Sequence, residues 1–250
     1  MIDINKINLL FGKPIKVSNN VEINIPTVEQ LCDDNNFGTY TQVFTITTRE
    51  LFSGNREVDK YEEKYPTVWQ MAFDKEGGLI LGQMLGYSSG INIIIDSISY
   101  WTGLESEAFR PLTNKKIINE TAGWIIDEEV FGELCELIKV VTNYEKNMDL
   151  VAPKNMSDRK WEIWENTYKG RLRGLQRSSR TFADKILILS VSFDSYIPIN
   201  EIKQMTIYHF NKLCEAASLK ESYMAQWDIK LSPKFESKGN LKHWKESVKL

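Results

Sequence analysis

Histidine is nearly missing from this 250-residue chain, with only His209 and His243 present. That excludes a histidine-rich metal site. Cys32, Cys135 and Cys214 lie far apart with no CxxC pair, which argues against a zinc knuckle and a disulfide framework. They are expected to be reduced, mostly buried thiols. A GxSxG elbow, an HExxH helix and a GxxxxGK[ST] phosphate loop are also absent; Gly12-Lys13 lacks the preceding glycine and the hydroxyl residue such a loop needs. His209 sits between the apolar Tyr208 and Phe210 and reads as a structural residue, while His243 lies in the tail. No catalytic, cofactor-binding or metal-binding residue is expected, and the chain reads as a non-enzyme.

One-sided charge is lacking too. Lys and Arg number 31 against 34 Asp and Glu, a net −3, so nothing draws the whole chain to nucleic acid or an anionic membrane. The first six residues have no basic region followed by an apolar stretch and a small-residue cleavage site, so a cytoplasmic location is expected. Gly77 to Ile95 is uncharged and about as long as a bilayer span. Its Gln83, Ser88, Ser89, Asn92 and five glycines make it a poor hydrocarbon solute, and no membrane is expected as a partner. The glycines at 78, 82, 86 and 90 allow two readings: a helical row that admits a neighbouring backbone, or a turn over 86–90 between two buried elements.

What is present suits a globular α+β protein. Hydrophobic residues make up 42% and charged residues 26%, and the length is sufficient for a substantial core without staples. The run from Pro14 to Pro26 alternates apolar and polar residues about Asn19-Asn20, which predicts a hairpin near 14–25. Thr27-Val-Glu-Gln30 and Thr47-Thr-Arg-Glu50 are capping boxes. Pro66 is placed in the first turn of a helix carrying Val68, Trp69, Met71, Ala72 and Phe73, which 74–78 should close. Residues 77–112 give no clear reading beyond the glycine row. Lys115 to Asn119 and Trp124 to Ile126 predict a second hairpin near 115–126. Asp127 caps a helix whose Val130, Phe131, Leu134, Leu137, Ile138 and Val141 share one face.

Residues 143–156 read as a polar linker, so the expected domains are an α+β part over 1–148 and a helical part with a polar tail over 149–250. In the second part Trp161, Trp164, Tyr168, Leu172 and Leu175 form a stripe. Phe182 to Phe193 reads as a buried helix, Asn200 as the cap of the next, and a last helix is expected from about Leu219. The pairs Asp33-Asp34, Glu62-Glu63 and Glu128-Glu129 read as solvated acids.

The segment most suggestive of a partner is 169–180. It holds Lys169, Arg171, Arg173, Arg177 and Arg180 with no acid, just after Trp161 and Trp164. Basic side chains beside aromatics suit a phosphate backbone and its bases, and they suit an acidic protein surface as well. Residues 29–76 carry ten acids and five bases, so opposite charge in the two halves would favour docking between chains.

Lys185-Ile-Leu-Ile-Leu-Ser190, the turn before Pro198 and Glu201-Ile-Lys-Gln-Met-Thr-Ile-Tyr-His-Phe-Asn211 together resemble tail-module proteins of tailed phages and prophages of Gram-positive bacteria. The 14–27 hairpin and Trp124 to Ile138 are similar to earlier segments of that family. The resemblance implies a non-enzymatic tail morphogenesis protein, either an assembly chaperone or a minor structural component. Its partners would be other phage tail proteins or further copies of itself, in the host cytoplasm or the virion.

Overall fold

The computed structural model describes residues 4–32, 34–178, 180–232 and 241–249. Helices α1 (Lys6–Leu10), α2 (Val28–Cys32), α3 (Phe37–Thr45), α4 (Thr48–Leu51) and α5 (Val58–Lys64) occupy the first quarter. They are followed by α6 (Val68–Phe73), α7 (Lys75–Leu85), α8 (Gly90–Thr102) and α9 (Glu128–Val141). The remainder holds α10 (Asp158–Ser178), α11 (Phe182–Val191), α12 (Ile199–Gln204) and α13 (Ile207–Leu231). Strands β1 (Ile15–Ser18) and β2 (Val21–Ile23) pair antiparallel, and β3 (Phe109–Leu112), β4 (Lys116–Asn119) and β5 (Trp124–Ile126) form a second antiparallel sheet in that order. The class is α+β.

The backbone gathers into two compact units. One comprises residue 4, 14–24 and 34–178; the other comprises 5–13, 25–32 and the described residues from 180 onward. The expected division at residue 148 differs from this grouping, because α10 belongs with the first unit while two N-terminal segments belong with the second.

In the first unit, apolar spacing dictates the packing. Phe131 on α9 lies 5.5 Å from the ring of Phe44 on α3 and 5.0 Å from that of Trp69 on α6. All three are nearly inaccessible, and burying each such side chain contributes roughly 1.5–3 kcal/mol. Asp127 caps α9, accepting from the Val130 amide at 3.2 Å. The β1–β2 hairpin forms where expected, with neither Asn19 nor Asn20 at positive φ and with a register shift in β1 between Lys16 and Ser18. Strand β3, from the stretch that gave no clear reading, adds to the expected β4–β5 hairpin.

Residues 74–78 start a helix where closure was expected. Asp74 ends α6 and caps α7, accepting from the amides of Glu76 at 3.1 Å and Gly77 at 2.8 Å and from the Tyr65 hydroxyl at 2.7 Å. Those amide and hydroxyl donors hold its carboxyl below the usual range. Pro66 precedes the α6 cap, Thr67, so it sits just before the first turn. Both readings of the glycine row are realised. Gly86 ends α7 in the left-handed region at φ +79°, and a Cβ on Gly78 would lie 2.6 Å from the Ala72 carbonyl oxygen. Among the described residues no single helix is long and apolar enough to cross a membrane; α7 and α8 reach that length together but are bent by 57°. The apolar side of α8, including Ile93, Ile94, Ile98 and Trp101, is buried.

The second unit is helical and stitched together by Thr206. Its hydroxyl donates to the Leu9 carbonyl at 3.0 Å and accepts from the His209 amide at 3.1 Å, capping α13. The Val28 amide bonds the Met205 carbonyl at 2.9 Å and the Ile207 amide bonds the Pro26 carbonyl at 2.9 Å, around a Thr27–Thr206 bridge. This extended pairing interrupts the helix expected from Asn200, giving α12 and α13, and α13 then runs unbroken through Leu219. Residues 233–240 of the expected polar tail lie outside the described residues.

Candidate protein-docking surface

Helix α10 presents the basic segment. Asp158 in its first turn suits the helix dipole, and Trp161 and Trp164 at three-residue spacing turn inward. Both indoles are buried, at 6% and 8% exposure, and Trp164 Nε1 donates to the Ser53 carbonyl at 2.9 Å. Their rings are committed to the core, so they offer no face on which a base or a partner side chain can stack. Leu172 is half-buried and Leu175 is 42% exposed, so the apolar stripe fades toward the C-terminal end.

The five basic residues fall into different settings. Lys169 pairs with Glu165 one turn earlier at 2.6 Å. Arg171 bonds the Asp149 carbonyl at 2.6 Å and its carboxylate at 3.2 Å, with its guanidinium 5.8 Å from the Trp164 ring. Arg173 donates from Nε to the Lys169 carbonyl at 3.2 Å and has no acidic partner among the described residues. Arg177, one turn further on the same face, is exposed and also without an acidic partner among them. Arg180 lies beyond α10, in the helical unit. The segment expected to act as one patch thus reduces to Arg173 and Arg177 on one helix face.

The polar crossing that precedes α10 is clamped. Arg49, 6% exposed, donates to the carbonyls of Ala152 at 2.8 Å and Pro153 at 3.2 Å, and binds Glu62 through Nε at 2.9 Å and Nη2 at 2.8 Å, with Asp59 as a further partner. Ser53 continues the chain of bonds: its hydroxyl donates to the Arg49 carbonyl at 2.7 Å and accepts from the Ala152 amide at 3.0 Å. The expected free linker is therefore anchored to α4, which is why α10 groups with the first unit. Glu62 is no solvated acid either, since Arg49 and Lys154 hold its carboxyl below the usual range. Glu128 accepts from Thr67 at 2.6 Å and Gln70 at 2.9 Å. Part of the acidic excess over 29–76 is met by bases from outside it, Lys146 on Glu50, Lys154 on Glu62 and Lys203 on Glu29.

The helical unit exposes apolar surface. Helix α11 was expected to be buried, yet Leu187 is 61% and Val191 65% exposed, with only Leu189 and Ser190 enclosed. Helix α11 packs against α12 and α13 with one face, and the Ile-Leu-Ile-Leu run leaves the other face bare. A groove between α11 and α13 holds about 230 Å³ toward Lys185 and about 400 Å³ toward Met224.

A cavity of about 160 Å³ in the first unit is lined by Phe44, Thr48, Trp69, Phe131 and Cys135 among others, and burial pushes the Cys135 thiol up to about 12, far from a thiolate at neutral pH. Cys32 is exposed, against expectation, while Cys135 and Cys214 are half-buried. Desolvation lowers the His209 pKa. Among the described residues no group of three or more His, Cys, Asp or Glu side chains is placed to hold a metal ion. Compared with protein-family models, curated proteins and solved structures, the chain matches none of them.

Proposed function

We propose that this chain is a non-catalytic phage tail morphogenesis protein that holds other tail proteins, as an assembly chaperone or a minor structural component. The observation that carries the reading is the C-terminal half of α10, where Arg173 and Arg177 share a helix face and have no carboxylate partner among the described residues. A guanidinium is a planar fork of donors suited to carboxylates, and two of them at i,i+4 on a helix present a preformed acceptor for an acidic strip on a partner. The resemblance of 185–211 to tail-module proteins supplies the class of partner.

The test is capture from phage-producing cells with the full chain as bait, followed by identification of what is held. Capture of tail proteins that is lost in the Arg173→Glu/Arg177→Glu variant supports the reading. Equal capture by that variant, or capture without any virion protein, overturns it. Retention on DNA that falls steeply with salt would instead assign the two arginines to phosphate contacts.

A further inference from the structure

The groove on the helical unit has a polarity that points to a particular occupant. Helices α11 and α13 run side by side in the same direction. The Phe182 ring meets that of Phe210 at 5.3 Å, and further along both helices Lys220 lies 5.8 Å from the Phe193 ring and 2.7 Å from Asp194. Ile188, Ser192, Ala217 and Glu221 line both halves of the groove, so it is one continuous trough. Its apolar floor and lips are accessible: Ile188 is 38%, Met224 49% and Val191 65% exposed.

Charge along this trough is ordered. Lys185 stands at one end, level with Cys214, whose thiol its charge reaches; Arg180 is beside it but also near Asp184. Two turns further along α13, Glu221 lies where the halves of the trough meet, and its neighbour Lys220, also on the wall, is committed to Asp194 at 2.7 Å. Neither Lys185 nor Glu221 has an ion-pair partner among the described residues. From the level of Cys214 to Glu221 is seven residues, about 10.5 Å along a helix. The midpoint falls between Ala217 and Ser218, two small side chains that let another helix approach closely.

We infer that the trough receives the same trough of a second copy, packed antiparallel about a two-fold axis at Ala217 and Ser218. An isologous contact requires a surface complementary to itself, in which each residue of a pair finds the other's counterpart. Antiparallel docking does this: Glu221 of each copy faces Lys185 of its mate, while Ile188, Val191 and Met224 cover one another across the axis. Parallel docking would set Lys185 against Lys185 and Glu221 against Glu221, so the charges select the antiparallel arrangement. The product is a four-helix layer of two α11–α13 pairs.

Sedimentation equilibrium of the full chain reads the result. The wild type is expected to form a dimer of twice 29.0 kDa. Lys185→Glu places two acids, and Glu221→Lys two bases, at each end of the contact, and each variant alone is expected to associate at least about tenfold more weakly. Mixed together, the two variants restore complementary pairs and should form a heterodimer. That recovery separates a broken contact from a misfolded chain. Three results would overturn the inference: a monomeric wild type at every soluble concentration, variants that dimerise like the wild type, or weakened variants that fail to recombine.

Discussion

Replacing Arg49 by Met removes the clamp on the 149–156 crossing while keeping most of the apolar volume of the side chain. The magnitude follows from what is left behind. The carbonyls of Ala152 and Pro153 lose a charged donor, each such bond being worth about 1.5–3 kcal/mol, and Glu62 keeps Lys154 at 3.1 Å. Asp59 is 45% exposed and returns to water at little cost. These losses overlap, and breaking a buried pair by removing one partner typically costs about 3–5 kcal/mol. At about 2–4 °C per kcal/mol for a unit of this size, Tm should fall by roughly 6–20 °C. Arg49→Lys keeps the charge but cannot serve two carbonyls and two carboxylates at once, so it should fall between wild type and Met. Thermal and urea unfolding followed by tryptophan emission gives the stability. Amide exchange at Ala152 shows whether the loss is at the crossing. A loss below about 1 kcal/mol for Arg49→Met would refute the claim that this guanidinium anchors α10 to the first unit.

Two further perturbations test the packing and the electrostatics. Gly78→Ala forces a Cβ to within 2.6 Å of the Ala72 carbonyl oxygen, so it should destabilise by about 1–3 kcal/mol despite alanine's better helix propensity. Gly174→Ala on α10, where a Cβ meets nothing within 4 Å, should instead stabilise by up to about 1 kcal/mol; matching urea midpoints for the two would contradict the close approach of α6 and α7. His209 has its pKa lowered by burial, so the unfolded chain takes up its proton first. Its contribution is whole above about pH 6.5 and is lost as pH falls through that value toward its folded pKa. Wild type should therefore lose more stability than His209→Gln between pH 7 and 5, and parallel profiles would disprove it.

Features set by neighbouring residues were legible in the sequence. The Thr27 and Thr47 capping boxes form as read, with the Thr27 amide on Gln30 Oε1 at 2.8 Å and the Thr47 amide on Glu50 Oε2 at 2.9 Å. The periodic face of α9 is buried at Phe131, Leu134, Leu137, Ile138 and Val141. What escaped depends on residues distant in the chain. Nothing near Met205 announces a helix break, because the bonds that make it come from Pro26 and Val28. Nothing in the polar run before α10 announces an anchor, because its partner is Arg49, and an isolated arginine in an acidic neighbourhood looks like surface. In the candidate site, Trp161 and Trp164 were identified with their basic neighbours, but spacing alone does not tell a core stripe from a stacking platform. The exposure of α11 was hidden because Ile-Leu-Ile-Leu gives the same hydropathy on a bare face as on a covered one.

The stitching at Thr206 also orders events on the ribosome. The helical unit includes 5–13 and 25–32, yet the groups that bind them, the Met205 carbonyl and the Thr206 hydroxyl, are made far later in synthesis. At about 5–20 residues per second, the roughly 180 residues between Val28 and Thr206 take about 9–36 s to appear. Throughout that interval Leu9, Val28 and Leu31, all buried in the finished protein, have emerged without their partners. The first unit carries no such delay beyond its own length, so nascent chains stalled before residue 205 should hold a native α9 while α1 and α2 still wait for their partners.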